Sequence, residues 1–124
     1  MLTTPCPCGT GETYDTCCGP LLANVAQATT PEQLMRSRYT AFATGHADHL
    51  FRTWHPRTRP DDVRPDRATR WTGLRVLAAE GDTVEFVAQW ETSQRESGEL
   101  HEVSRFEQRA GRWCYVDGVV DVSG

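Results

Sequence analysis

Residues 70–122 read RWTGLRVLAAEGDTVEFVAQWETSQRESGELHEVSRFEQRAGRWCYVDGVVDV, and through this stretch apolar side chains recur at every second position. That is the period of a strand with one face buried. Val84, Phe86, Ala88 and Trp90 share one face; Leu100, Glu102, Ser104 and Phe106 share a face of the next run; Trp113, Tyr115 and Asp117 share a face of the last. An earlier strand surrounds Trp71–Leu77. Gly81-Asp82, Ser97-Gly98 and Ala110-Gly111 separate the runs, so the pattern predicts antiparallel neighbours joined by hairpins.

Upstream, residues 28–55 carry a helical period. Thr30 is a suitable N-cap, Pro31 suits the first helical position, and Gln33 completes a capping box. Met35, Tyr39 and Phe42 then lie on one helical face, and Gly45 ends the helix. Ala47, Leu50, Phe51 and Trp54 define a second short helix stopping before Pro56, with His46 and His49 expected on its exposed side. Residues 56–69, PRTRPDDVRPDRAT, form a polar connection. Two amphipathic helices followed by a meander make an α+β fold, with helices packed on one face of a curved antiparallel sheet.

The chain has 124 residues, 38% hydrophobic and 24% charged, which suits a globular domain large enough to hold a core. Its formal charge is −4 and all thirteen basic residues are Arg. An acidic chain lacks the overall field that drives sequence-independent nucleic-acid binding. Arg52, Arg57, Arg59, Arg64, Arg67, Arg70 and Arg75 are dense, but Asp61, Asp62 and Asp66 interleave with them, as on a solvated loop. The opening residues carry no secretory signal and no stretch reaches membrane-spanning length, so a cytoplasmic location is expected, with no membrane partner.

Residues 5–20, PCPCGTGETYDTCCGP, have too few apolar side chains for a core of their own. Cys6, Cys8, Cys17 and Cys18 crowd into thirteen residues, and a reducing compartment disfavours cross-linking them. Four thiolates satisfy a tetrahedral ion and leave no open position, so the expectation is one structural zinc. Cys114 stands apart as a small strand residue. Tyr14, between the cysteine pairs, is expected to pack rather than to contact a partner.

The cysteine stretch closely resembles the SEC-C motif, C-P-C-G-x-G-x-x-Y-x-x-C-C-G, a zinc-binding element. The remainder resembles the YchJ-like family through EQLMRSRYTAF (32–42), TWHP (53–56), RWTGLRVL (70–77), HEVSRF (101–106) and GRWCYVDG (111–118). That resemblance implies a nuclear transport factor 2-like cone over residues 23–124, preceded by a knuckle over residues 1–22. It implies no biochemical activity.

Two functions follow as expectations. In the first, the knuckle is a rigid surface for a protein partner, and the chain is an adaptor. In the second, the cone interior binds a small molecule or carries out proton transfer, as in an isomerase or dehydratase. The pocket candidates are then His55, Glu102, Asp117, Tyr115 and Trp90, with His101 as a further partner and Trp54 and Trp71 as walls. No residue is assigned a catalytic role. Arg36, Arg38 and Arg105 are the expected ion-pair partners of Glu102 and Asp117.

Overall fold

The last two strands meet through Ala110 and Gly111, both at positive φ (+53° and +79°), the backbone a two-residue hairpin turn requires. The computed structural model describes residues 4–123. Four strands, β1 (Thr69–Glu80), β2 (Thr83–Thr92), β3 (Ser97–Arg109) and β4 (Arg112–Ser123), form one antiparallel sheet in the order β1-β2-β3-β4. The β2–β3 turn lies one step earlier than the glycine suggested. Thr92 and Glu96 close it, Arg95 takes the positive φ, and Gly98 sits inside β3 opposite Trp90.

Register irregularities interrupt the pairing at Trp71/Gly73, Val76/Ala78 and Arg105/Phe106. Such bulges bend a strand and increase its twist, which curves the sheet. The third changes a side-chain assignment. Arg105 pairs with Asp117 and Phe106 with Tyr115, so Val116 is the extra residue. Tyr115 therefore points inward with Phe106, while Asp117 points outward with Arg105. Strict alternation had placed both inside.

The capping signals act as read. Thr30 Oγ1 accepts from the Gln33 amide at 3.1 Å at the head of α2 (Pro31–Thr44), and the Gln33 side chain accepts from the Thr29 amide at 2.7 Å. Gly45 ends α2 at φ +82° with its amide bonded to the Ala41 carbonyl. The next helix, α3 (Ala47–Arg52), is shorter than the pattern suggested. Trp54 is extended and bridges Tyr115: the Tyr115 amide donates to the Thr53 carbonyl and the His55 amide to the Tyr115 carbonyl, each at 2.8 Å.

His49 is buried, not exposed as its place near a helix start suggested. Ser37 Oγ donates its one proton to the Leu34 carbonyl at 2.7 Å, so it accepts from His49 Nε2 at 2.9 Å. That leaves Nδ1 unprotonated, buried and without a partner among the described residues. Burial, reinforced by Arg52 and Arg38, lowers the imidazole pKa to about 4.

Candidate metal centre and cavity

The knuckle begins as a narrow ribbon. Pro5 bridges Thr13, the Cys6 amide donates to the Glu12 carbonyl at 2.9 Å, and Gly9 turns the chain at φ +83°. A single 3-10 turn, Tyr14–Thr16, then delivers Cys17 and Cys18 to the head of α1 (Gly19–Leu22). A Cβ at position 19 would lie 2.8 Å from the Tyr14 carbonyl oxygen and 3.0 Å from its ring, so glycine lets Tyr14 fold onto the knuckle. Tyr14 packs against the core, as expected.

The four Sγ atoms all lie within 4.8 Å of one another, with Cys8–Cys17 at 3.6 Å and Cys17–Cys18 at 4.0 Å. Zinc–sulfur bonds of about 2.3 Å in a tetrahedron put sulfurs about 3.8 Å apart. All five cysteines are free thiols. Cys6, Cys8 and Cys18 are buried, where thiolates need a cation to ionise together. The donor set and its spacing fit a metal ion.

The knuckle is seated on the main domain. Cys6, Cys8 and Cys18 share one core cluster with Leu22, Tyr39, Leu50 and Ala88. Thr40, fully buried, donates to Cys18 Sγ at 3.3 Å and lies 3.8 Å from Cys6 Sγ. Arg36 donates to the Cys8 carbonyl at 2.8 Å. Partners of this kind orient metal ligands. Neither was evident from sequence, because both lie on α2, far along the chain from the cysteines.

Behind α2, between helix and sheet, is a cavity of about 260 Å³. Met35, Phe42, Trp71, Phe86, Leu100 and Phe106 supply apolar walls. Glu102, Ser104 and Tyr115 supply its polar corner: Ser104 Oγ and the Tyr115 hydroxyl both donate to Glu102 Oε2, at 2.5 and 2.9 Å. Burial and the Glu102 carboxylate raise the Tyr115 pKa, so the phenol stays a donor. Glu102 Oε1 has no hydrogen-bond partner among the described residues and is not sealed off. A Cβ at position 118 would lie 2.3 Å from Glu102 Oε2, so Gly118 makes room for the carboxylate.

Arg38 also reaches the cavity. Its guanidinium stacks 4.9 Å from the Trp54 ring and 4.6 Å from the Tyr115 ring, and donates to the Leu50 carbonyl and Thr53 Oγ1. Burial lowers its pKa to about 10, which leaves it charged at neutral pH. The helical period does carry it, since position 38 shares a face with Met35, Tyr39 and Phe42.

The other expected pocket residues lie elsewhere. Asp117 is exposed and doubly hydrogen-bonded to Arg105, because of the bulge at Val116. His55 Nδ1 accepts from the Arg57 amide in the loop after Trp54. His101 pairs with Glu85 on the outer face, and Trp90 does not line the cavity. The expected arginine network forms only in part: Arg105 pairs with Asp117 as expected, but Arg36 pairs with Glu32, and no arginine lies within ion-pair distance of Glu102 among the described residues.

The described residues include no helix long and apolar enough to cross a membrane. Residues 3–20 match the SEC-C motif, and residues 30–118 match the family model described as YchJ, middle NTF2-like domain. A UPF0225 protein of Streptomyces coelicolor is 50% identical over 95% of this chain and 97% of its own length. One from Deinococcus radiodurans is 47% identical over 91% and 87%. The solution structure of a SEC-C motif containing protein from Rhodopseudomonas palustris superposes with a TM-score of 0.82 at 38% identity, covering 94% of this chain and 98% of that one. A crystal structure of a SEC-C motif containing protein from Psychrobacter arcticus shares the fold, with a TM-score of 0.68 at 23% identity, over 100% of this chain and 85% of that one.

Proposed function

This chain belongs to the YchJ-like family of UPF0225 proteins, and on that premise we propose that it is a zinc protein whose cone cavity binds a small, mainly apolar molecule bearing one hydrogen-bond donor. One zinc in an all-thiolate shell has no open position, so its role is to hold the knuckle against α2. Cys6, Cys8, Cys17 and Cys18 are its ligands in this reading. Thiols this dense stay metal-competent in a reducing compartment, which supports a cytoplasmic location.

The observation that carries the ligand reading is Glu102. Its Oε2 is satisfied by two neighbours, Oε1 has no hydrogen-bond partner among the described residues, and Glu102 lines the cavity together with aromatic side chains. A few polar groups in an apolar concavity are the common make-up of a small-molecule site. His55 and Asp117 lie outside the cavity, so Glu102 lacks the acid–base partners that turnover was expected to use. Binding is therefore favoured over catalysis.

Three naphthalene probes test this: 2-naphthol, which has a donor; naphthalene, which has none; and 2-naphthoate, an anion. Binding is followed by the Trp54 and Trp71 indole N–H shifts. The expected order is naphthol, naphthalene, naphthoate, and Glu102→Met should abolish the preference for naphthol. Absence of saturable binding by all three, or a preference that survives Glu102→Met, refutes the reading.

The adaptor role rests on a different observation, the exposed rim of the knuckle from Gly9 to Glu12. Its test is a captured protein partner that is lost when the exposed Glu12, whose side chain makes no hydrogen bond to the thiols, is replaced by Arg while metal content is unchanged.

A further inference from the structure

The arginine-rich loop resolves into neutralised and free charges. Arg57 pairs with Glu107, Arg64 with Asp62 and Arg70 with Glu91. Arg59 has no ion-pair partner among the described residues. It lies over the Phe51 ring, 3.8 Å from the centroid, and donates to the Phe51 carbonyl at 3.4 Å. There it meets Arg52, Arg109 and Arg112 along a groove of about 460 Å³ whose lining includes no carboxylate. Arg52 is held by Asp48 at 3.3 Å, while Arg109 and Arg112 have no ion-pair partner among the described residues.

A second observation is independent of the groove. Arg109 and Arg112 face each other directly across the β3–β4 turn. Like charges directly opposite in an antiparallel pair are destabilising. A chain of formal charge −4 with seventeen acidic residues places none of them in this groove. Local conflicts of this kind concentrate where a ligand resolves them. Two opposed guanidinium forks suit the several oxygens of one phosphate better than a single carboxylate. The Phe51–Arg59 stack and the half-buried Trp113 indole, also in the groove, offer flat surfaces to an aromatic ring.

We infer that this groove, between the end of α3 and the β3–β4 hairpin, binds a phosphate-bearing nucleotide, with Arg109 and Arg112 gripping the phosphate. The source is either a free nucleotide or the 5′ end of a nucleic-acid strand. The site is separate from the metal centre and the cone cavity.

The test uses the full, zinc-loaded chain at low salt and follows the Trp113 indole N–H. The probes are AMP, adenosine, a short 5′-phosphorylated oligoadenylate, its unphosphorylated twin and an oligoglutamate peptide. AMP, the phosphorylated strand or both should saturate, while adenosine and the unphosphorylated strand should bind far more weakly. Preference for the strand identifies a strand end, and equal binding a free nucleotide. Joint Arg109→Gln and Arg112→Gln substitution should weaken binding by about tenfold or more, because two charge-assisted contacts are lost. It should leave the melting temperature equal or higher, because the like-charge opposition is relieved. Arg64→Gln, remote from the groove and paired in the native chain, should bind as wild type. The inference is overturned if neither phosphate probe saturates, if adenosine matches AMP, if the peptide binds tightest, or if Arg64→Gln is as damaging as the double change.

Discussion

Replacing Gly118 with Ala tests how the cavity keeps its carboxylate. The new Cβ would lie 2.3 Å from Glu102 Oε2, 2.8 Å from Cδ and 2.9 Å from Cγ, too close for the present rotamer. Gly118 is not at positive φ, so the backbone tolerates alanine and the conflict is with one side chain. Glu102 must swing away and lose the hydrogen bonds from Ser104 and Tyr115. Hydrogen bonds to a charged group contribute about 1.5–3 kcal/mol each, but a displaced carboxylate regains water, so about half of their sum is at stake. Alanine in a strand recovers about 0.5–1 kcal/mol relative to glycine. The net expectation is a loss of about 0.5–2.5 kcal/mol, read from urea midpoints at constant m. The decisive arm repeats Gly118→Ala in a Glu102→Ala background, where the conflict is gone and the substitution should be neutral or stabilising. An equal loss in both backgrounds would refute the claim that Gly118 exists to seat Glu102.

Further outcomes can be measured on the same protein. Equilibration with a strong chelator should release one zinc per chain, and at free zinc about 1,000-fold above the dissociation constant the ion should contribute about 4 kcal/mol to unfolding free energy. Thr40→Val removes the hydroxyl donor to Cys18 Sγ and should weaken metal affinity by about tenfold in competition with a chromophoric chelator, while a near-isosteric core is retained. Because the folded pKa of His49 is lowered from 6.5 to about 4, the unfolded chain binds the extra proton first. Its contribution to stability is therefore complete above pH 6.5 and declines as pH falls toward 4, by about 3 kcal/mol in all, and His49→Gln should remove that part of the pH dependence.

How much of this was legible in the sequence differs by residue. The thiol cluster was readable because cysteine carries its own coordination chemistry and the two pairs lie close along the chain. The helices and the meander were readable because each is set by a local period, and α2 declares both its ends. Asp117 was misplaced because one extra residue, Val116, reverses the alternation, and no local residue type announces a bulge. His49 looked like a surface residue because a six-residue helix offers too little period to define its buried side. The arginine groove was hidden for another reason: two of its residues lie in and after α3 and two flank a hairpin half a chain away. Proximity in space brought them together, and the interleaved aspartates on the loop obscured which charges would remain free.

The long helix α2 is a party wall between two rooms. Arg36 and Thr40 lean on the thiolate cluster, while Met35, Arg38, Tyr39 and Phe42, on neighbouring rows of the same helix, furnish the cavity. Slackness on the metal side would reach the cavity through any shift of α2, because one helix carries both sets of contacts. If zinc and an apolar guest are bound as proposed, a cell starved of zinc would hold this protein with an altered appetite for that guest. Titrating that guest into metal-loaded and metal-stripped chains should give two different affinities.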